Sequence, residues 1–143
     1  MQNILIYYFK ENIMALIKWR DSYSVGVEQF DNEHKTILRL INEMFEVVKD
    51  KHDQISVNYE VDKLINYTKK HFRNEETALE QAEFELLDEH KAIHKRLVRE
   101  AIDFKEKIEN NTDGINSDFY LFLRDWLLKH ILEEDMKYSV CFS

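Results

Sequence analysis

Four stretches of the chain place apolar residues at spacings of three and four, which is the period of one face of an α-helix. Asp31 or Asn32 can cap the first predicted helix, and Ser56 can cap the second. The fourth helix loses its period after Ile131. The inward-facing positions, from the first helix to the fourth, are His34, Ile37, Leu38, Ile41, Phe45 and Val48; Leu64, Thr68, His71, Phe72, Glu75, Leu79 and Ala82; Leu87, His90, His94, Leu97, Ala101, Phe104 and Ile108; and Phe119, Phe122, Leu123, Trp126, Leu127 and His130.

Each predicted helix has one narrow apolar stripe, so each needs the other three to bury it. Four such helices with short connections predict an all-α fold, an antiparallel up-down-up-down four-helix bundle. The chain has no proline and two glycines, Gly26 and Gly114, so no strong helix breaker interrupts residues 27–113. Residues Trp19 to Phe30 lack a helical period and predict an ordered N-terminal loop arm, held by Trp19 and Tyr23.

The first residues of the chain differ in pattern from the four helical stretches. The apolar run from Ile4 to Phe9 is too short to span a membrane, and no small-residue cleavage site comes after it. Met14 opens a segment that could itself be a natural start. We therefore expect residues 1–13 to be a dispensable N-terminal extension and residues 14–143 to form one bundle domain.

Charge and cysteine content restrict the classes of function. The formal charge of −8, from 28 acidic and 20 basic residues, disfavours electrostatic binding to nucleic acid or to an anionic membrane. The single cysteine, Cys141, cannot form a disulfide within the chain. A cytoplasmic location is the simplest expectation.

Five of the six histidines fall on the predicted inward stripes: His34, His71, His90, His94 and His130. One inward histidine is usually a core residue that hydrogen-bonds to a carbonyl or a carboxylate. Five of them beside Glu75 would need about ten ring-nitrogen hydrogen bonds inside a narrow bundle, which is hard to arrange without a metal. The histidine pattern therefore predicts a metal site.

Imidazole suits zinc, copper, iron or nickel, and a single zinc ion would leave histidines over. Two ions that share carboxylate bridges fit the set better, with Glu75 as one bridge. Asp135 is the candidate for the second bridge. Because it follows His130 by five residues, it lies about 140° round an ideal helix and needs an irregular helix end. Glu133 and Glu134 compete for the same role on spacing alone.

Together these residues resemble the hemerythrin family, and in particular the single-domain bacterial hemerythrins. The resemblance runs from about Trp19 to Tyr138. It rests on Tyr23-Ser24-Val25-Gly26-Val27, Asp31-x-x-His34, His71-Phe72-x-x-Glu75, His90-x-x-x-His94 and His130-Ile131-x-x-x-Asp135. The segment Glu83-Phe84-Glu85-Leu86 departs from the family, since it lacks the tyrosine-proline often seen before the third helix.

The resemblance implies a ligand set for two iron ions. One iron would be held by His90, His94 and His130, and the other, which would take O2, by His34 and His71. Glu75, Asp135 and a solvent-derived oxygen would bridge the two. The resemblance also implies an O2 pocket, for which plain core packing is an equally good and compatible explanation; its residues are Ile37, Phe72, Trp126, Leu127 and Tyr138.

The function implied is reversible O2 binding at a non-haem di-iron centre, for oxygen storage or delivery, by a protein that is not an enzyme. A ligand set made mostly of neutral imidazoles favours holding O2 over splitting it, in contrast to carboxylate-rich di-iron bundles. The alternatives are a sensor of O2, nitric oxide or redox state that acts through a separate partner protein, a di-iron oxidase, and a metal-free structural bundle.

Overall fold

The computed structural model describes residues 17–49, 54–110 and 117–142. The predicted N-terminal extension, residues 1–13, lies outside the described residues. Four inward positions of the predicted stripes also have side chains outside this description: Phe45, Val48, Ile108 and Phe119.

The described part of the chain contains four α-helices: α1 Glu28–Lys49, α2 Gln54–Gln81, α3 Leu87–Asn110 and α4 Ser117–Lys129. A 3-10 turn, Asp21–Tyr23, precedes α1. The chain continues from α4 through a π-helical turn, His130–Glu134, into a 3-10 helix, Asp135–Phe142. Helix α1 packs on α2 and α4, and α2 packs on α3. The predicted all-α four-helix bundle is confirmed.

Helix α1 begins at Glu28, three residues before Asp31 and four before Asn32, the two predicted caps. Asp31 is already helical, because its backbone N–H bonds to the carbonyl of Val27 (2.9 Å). Its carboxylate instead accepts hydrogen bonds from the Ser24 hydroxyl (2.5 Å) and the Val25 N–H (2.8 Å) of the loop arm. Gly26, with φ at 80°, makes the turn between that loop and the helix. Asp31 therefore ties the arm to α1 and does not start the helix.

Helix α2 begins by Gln54, so Ser56 lies in its first turn and is not its cap. At the other end, Glu83 adopts a left-handed conformation with φ at 55°. The N–H of Phe84 bonds to Leu79 O (3.0 Å), and the N–H of Glu83 bonds to Glu80 O (3.1 Å). This is the paired hydrogen bonding that closes a helix before a turn. A glutamate thus makes the turn into α3 in the segment that lacks the family's tyrosine-proline.

The core runs along the axis of the bundle, where Ile41, Met44, Leu79 and Leu123 are almost fully buried. At the N-terminal side Trp19 and Tyr23 contact each other edge to face, with ring centroids 5.7 Å apart. Among the described residues, no helix combines the length and hydrophobicity that a membrane span needs.

Candidate metal centre

The four helices place all seven predicted ligands in one buried volume. Helix α2 carries His71 and Glu75 one turn apart, and α3 carries His90 and His94 one turn apart, so each pair lies on one helix face. The remaining three come from α1 and from the chain after α4: His34, His130 and Asp135. The two carboxylates are fully buried, and none of the five histidines is more than 6% exposed. Metal binding also requires that the donor atoms converge at suitable distances.

The π-helical turn is what brings Asp135 into the cluster. The N–H of Asp135 bonds to the carbonyls of both His130 and Ile131, so one turn of the helix contains an extra residue. Residue i+5 therefore stands where residue i+4 would stand in an α-helix, and Asp135 Oδ1 lies 2.9 Å from His130 Nε2. Glu133 is exposed, and Glu134 pairs with Lys137 at the surface (3.1 Å). Of the three competing carboxylates, only Asp135 reaches the histidines.

Glu75 divides its two oxygens between two groups of histidines. Its Oε1 lies 2.7 Å from His90 Nε2 and 3.1 Å from His94 Nε2. Its Oε2 lies 3.3 Å from His71 Nε2 and 3.7 Å from His34 Nε2. A carboxylate placed in this way can bridge two cations.

Like Glu75, Asp135 places one carboxylate oxygen near each group of histidines. Its Oδ1 faces His130 and His90, the latter at 3.2 Å, and its Oδ2 lies 3.1 Å from His34 Nε2. The donor atoms thus form two overlapping groups, each with all its atoms within 4.8 Å of one another. One group has three histidines and the other has two, and both share the two carboxylates: His90, His94 and His130, and His34 and His71, with Glu75 and Asp135.

Several of these donor atoms are buried without a hydrogen-bond partner in the described part of the chain. They are the Nε2 atoms of His34, His71, His94 and His130 and both oxygens of Asp135. A buried polar atom without a partner is costly, and here the orphaned atoms converge on one volume. Imidazole nitrogens with bridging carboxylates are a donor set for first-row transition metals such as iron. The residues present therefore fit two metal ions.

In the metal-free cluster, protonated histidines and ionised carboxylates attract each other. Burial alone would raise the pKa of Glu75, but close contacts with histidines, His34 and His71 among them, hold it well below its ordinary value. Burial alone would lower the pKa of His71 and of His90, but neighbouring carboxylates raise both to about 9. Ligand histidines must give up those protons before they bind metal, so metal uptake releases protons.

Two further carboxylates contact the Nδ1 atoms of two histidines of the cluster. Glu33 Oε1 lies 2.6 Å from His71 Nδ1, and its other oxygen accepts a hydrogen bond from the Asn74 amide (3.2 Å). Glu76 Oε2 lies 2.8 Å from His94 Nδ1. Such contacts orient the ring, so that Nε2 points at the metal volume.

The sequence indicated one of these carboxylates only weakly and missed the other. By sequence alone, Arg73, Asn74 and Glu76 are expected to be solvated surface from which one residue could orient a ligand histidine, and Glu33 has no feature that sets it apart. Glu33 and Glu76 share one signal: each is adjacent in sequence to a predicted ligand and just outside the inward stripe. Their partners lie on other helices, so spacing within one helix does not reveal them.

A small cavity adjoins the group that contains His34 and His71. Its volume is about 10 Å³, close to the minimum that one water molecule needs. The residues that line it are His34, Ile37, Thr68, His71, Phe72, Leu97, Trp126, Leu127 and His130. Four of the five predicted pocket residues are in this lining, and Thr68 and Leu97 are additions. Its walls are mostly apolar.

Tyr138, the fifth predicted pocket residue, is fully buried but is not in this lining. Its hydroxyl donates a hydrogen bond to Glu75 Oε2 (2.8 Å). Burial raises the pKa of Tyr138, and the neighbouring carboxylates of Glu75 and Asp135 raise it further. The phenol therefore stays protonated and remains a donor to Glu75.

Replacing Asp135 with asparagine is expected to reduce bound iron to one ion per chain or less, because the amide nitrogen cannot serve as the second bridging donor. The measurement is metal content after reconstitution and gel filtration. Glu134→Gln is the matched control, since Glu134 is adjacent but pairs with Lys137, and it should retain the wild-type content. Equal losses in both variants would contradict the role of Asp135.

Comparisons with known proteins agree with this geometry. A sequence model of the family described as hemerythrin HHE cation binding domain matches residues 25–139. A bacteriohemerythrin from Methylococcus capsulatus is 31% identical over 91% of this chain and 99% of its own. A myohemerythrin from Theromyzon tessulatum is 28% identical over 85% of this chain and 90% of its own. A crystal structure of wild-type hemerythrin superposes with a TM-score of 0.81 at 30% identity, and covers 90% of this chain and 98% of that one. The chain belongs to the hemerythrin family.

Proposed function

We propose that this protein binds O2 reversibly at a non-haem di-iron centre and that it stores or delivers O2. The observation that carries the proposal is the small, mostly apolar cavity that is lined by both histidines of the two-histidine group and by one histidine of the other, His130. The other group has an additional histidine, so the two-histidine group is the side with room for an exogenous ligand. When bound, the two irons would supply the two electrons that O2 takes up and gives back.

The residues of the chain hold the metals in an asymmetric frame. His90, His94 and His130 would hold one iron, and His34 and His71 the other, with Glu75 and Asp135 as bridges. The family relationship supports this assignment. Glu33 and Glu76 orient two of the imidazoles, and the Tyr138 hydroxyl stabilises the negative charge on Glu75 by a hydrogen bond.

The cavity walls control what else reaches the site. Ile37, Phe72, Trp126 and Leu127 exclude water on the O2 side, and a dry site limits proton delivery and loss of reduced oxygen. The wall is rigid at two points: the Trp126 indole N–H donates to Leu97 O (3.1 Å), and Phe72 stacks on His94 with ring centroids 3.8 Å apart. These features favour a carrier over an oxidase.

We also propose that the protein is cytoplasmic. The only cysteine, Cys141, is exposed and free, which suits a reducing environment such as the cytoplasm.

The test is the visible spectrum of the iron-loaded, reduced protein before and after air. A charge-transfer band that appears with O2, disappears under argon and returns with air is the expected result, with two irons per chain by elemental analysis. A colourless protein, or a band that cannot be reversed, would contradict reversible binding. Steady consumption of O2 with an added reductant would indicate an oxidase instead.

A further inference from the structure

Two residues that line the cavity and are not predicted metal ligands carry polar side-chain groups, Thr68 and Trp126, and of these only the Thr68 hydroxyl lacks a partner in the described part of the chain. Thr68 is 2% exposed, and its Oγ1 has no hydrogen-bond partner among the described residues. A helical threonine usually bonds its hydroxyl to the carbonyl one turn back. Thr36 and Thr77 do this, with Asn32 O at 3.0 Å and Arg73 O at 2.9 Å. The Thr68 hydroxyl lacks this partner.

The position of Thr68 places its side chain at the ligand cavity. It precedes His71 by three residues on α2, so the two side chains share one helix face. Thr68 lines the cavity together with both histidines of the two-histidine group, His34 and His71. The residue that carries this unpartnered hydroxyl therefore lines the cavity where an exogenous ligand would bind.

A second small cavity lies on the other side of the same residue. Thr68 and Trp126 line both cavities, and the other walls of the second are apolar: Leu64, Ile65, Val98, Ala101 and Leu123. The Trp126 N–H is already bonded to Leu97 O. A water molecule there would find a single free polar group in the described lining, fewer than a buried water needs. The second cavity offers the hydroxyl no good alternative partner.

We propose that Thr68 determines ligand preference at this site by donating a hydrogen bond to the outer atom of a small ligand in the cavity. Ligands whose outer atom carries negative charge would gain most, because hydrogen bonds to charged acceptors are the stronger ones. The inference rests on the proposed function, since it requires a ligand that binds on the side of His34 and His71.

The test uses azide, a small linear anion, titrated into the oxidised, iron-loaded protein and followed by its visible absorption. Three variants separate the hydroxyl from the volume: Thr68→Val lacks the hydroxyl at the same shape, Thr68→Ser keeps it in a smaller side chain, and Thr68→Ala lacks both. Azide affinity is expected to be similar in wild type and Thr68→Ser and about tenfold weaker in Thr68→Val and Thr68→Ala. Affinity that follows side-chain volume, with Thr68→Val equal to wild type, would overturn the proposal.

The metal-free proteins supply a readout that does not depend on the loaded site. If the Thr68 hydroxyl has no partner, Thr68→Val removes a buried unpaired group at constant shape, and the melting temperature should rise by about 2–4 °C. A lower melting temperature for Thr68→Val would show that the hydroxyl has a structural partner and would overturn the proposal.

Failure of this inference differs from failure of the proposed function. If wild-type protein holds two irons and binds azide but Thr68→Val binds it equally well, only the role of Thr68 is lost. If wild-type protein takes up iron but binds neither azide nor O2, the ligand site itself is wrong.

Discussion

Replacing Glu75 with alanine is expected to eliminate the O2-dependent visible band and to reduce bound iron to less than one ion per chain. Glu75 gives one oxygen to each donor group, with Oε1 2.7 Å from His90 and Oε2 3.3 Å from His71. Without it the two-histidine group keeps one carboxylate, from Asp135. Only one of the two carboxylates shared by the donor groups then remains to bridge the ions. The measurements are iron content after reconstitution and the visible spectrum in air and under argon.

The same substitution should also destabilise the metal-free protein. Removing one partner of a buried charged cluster costs about 3–5 kcal/mol, because the other charges remain buried and unpaired. His90 and Tyr138 would both lose the partner that Glu75 provides. Denaturant unfolding of the metal-free variant measures this difference.

Two variants control for the Glu75 experiment. Glu80→Ala changes an exposed glutamate on the same helix and should retain wild-type iron content and stability. Glu75→Gln keeps the shape and an acceptor for Tyr138 but removes the charge, so it separates packing from electrostatics. A Glu75→Ala protein with full iron content and a reversible band would refute the bridging role.

Metal-free protein is expected to lose stability as the pH rises from 6.5 to 9, whereas iron-loaded protein is not. The pKa of His71 and of His90 is about 9 in the folded state against an ordinary 6.5, because carboxylates outweigh the effect of burial. Below pH 6.5 both the folded and the unfolded chain bind these protons, and the stabilisation is fully present. As the pH rises to 9 only the folded chain still holds them, so the stabilisation disappears. A fall in melting temperature of about 5–10 °C is expected.

At acid pH the dependence is reversed, and the metal-free protein is expected to lose stability as the pH falls. Burial would raise the pKa of Glu75 and of Asp135, but their contacts with the histidines hold both below their ordinary values. Their contribution is present above the ordinary carboxyl pKa and is lost as the pH falls further. Stability of the metal-free protein should therefore peak between about pH 5 and 6.5.

Thermal melts monitored by circular dichroism, in one buffer series with and without iron, test this pH dependence. The iron-loaded protein is the control, since it has the same surface charges but its ligand histidines hold metal and not protons. A metal-free melting temperature that stays level or rises between pH 6.5 and 9 would contradict the assignment.

Most of the fold, and the regular half of the site, could be predicted from helical periodicity. His71 with Glu75, and His90 with His94, are four apart on uninterrupted helices, so spacing alone puts each pair on one face. The same spacing of three and four residues in four stretches predicts the four-helix bundle. Sequence spacing predicts which side chains share a face wherever the backbone is a regular α-helix.

The remainder depends on backbone irregularity or on contacts between helices. Asp135 enters the cluster through a π-helical turn, and periodicity could only indicate that an irregular end was required. Asp31 looked like a helix cap because its side chain does bond to nearby backbone, but the bond goes to Val25 in the preceding loop. Glu33 lies 38 residues from His71, its partner, and no pattern within one helix connects them.

The division of five histidines into three and two has a consequence for how the protein fills with metal. The first group offers five donor residues and the second four, with Glu75 and Asp135 shared, so we expect the first group to bind its ion more tightly. A titration of metal-free protein should therefore proceed in two steps, with the three-histidine position filled first. At one equivalent of metal, the chain would be half-loaded and unable to bind O2, and O2 capacity would rise only with the second equivalent.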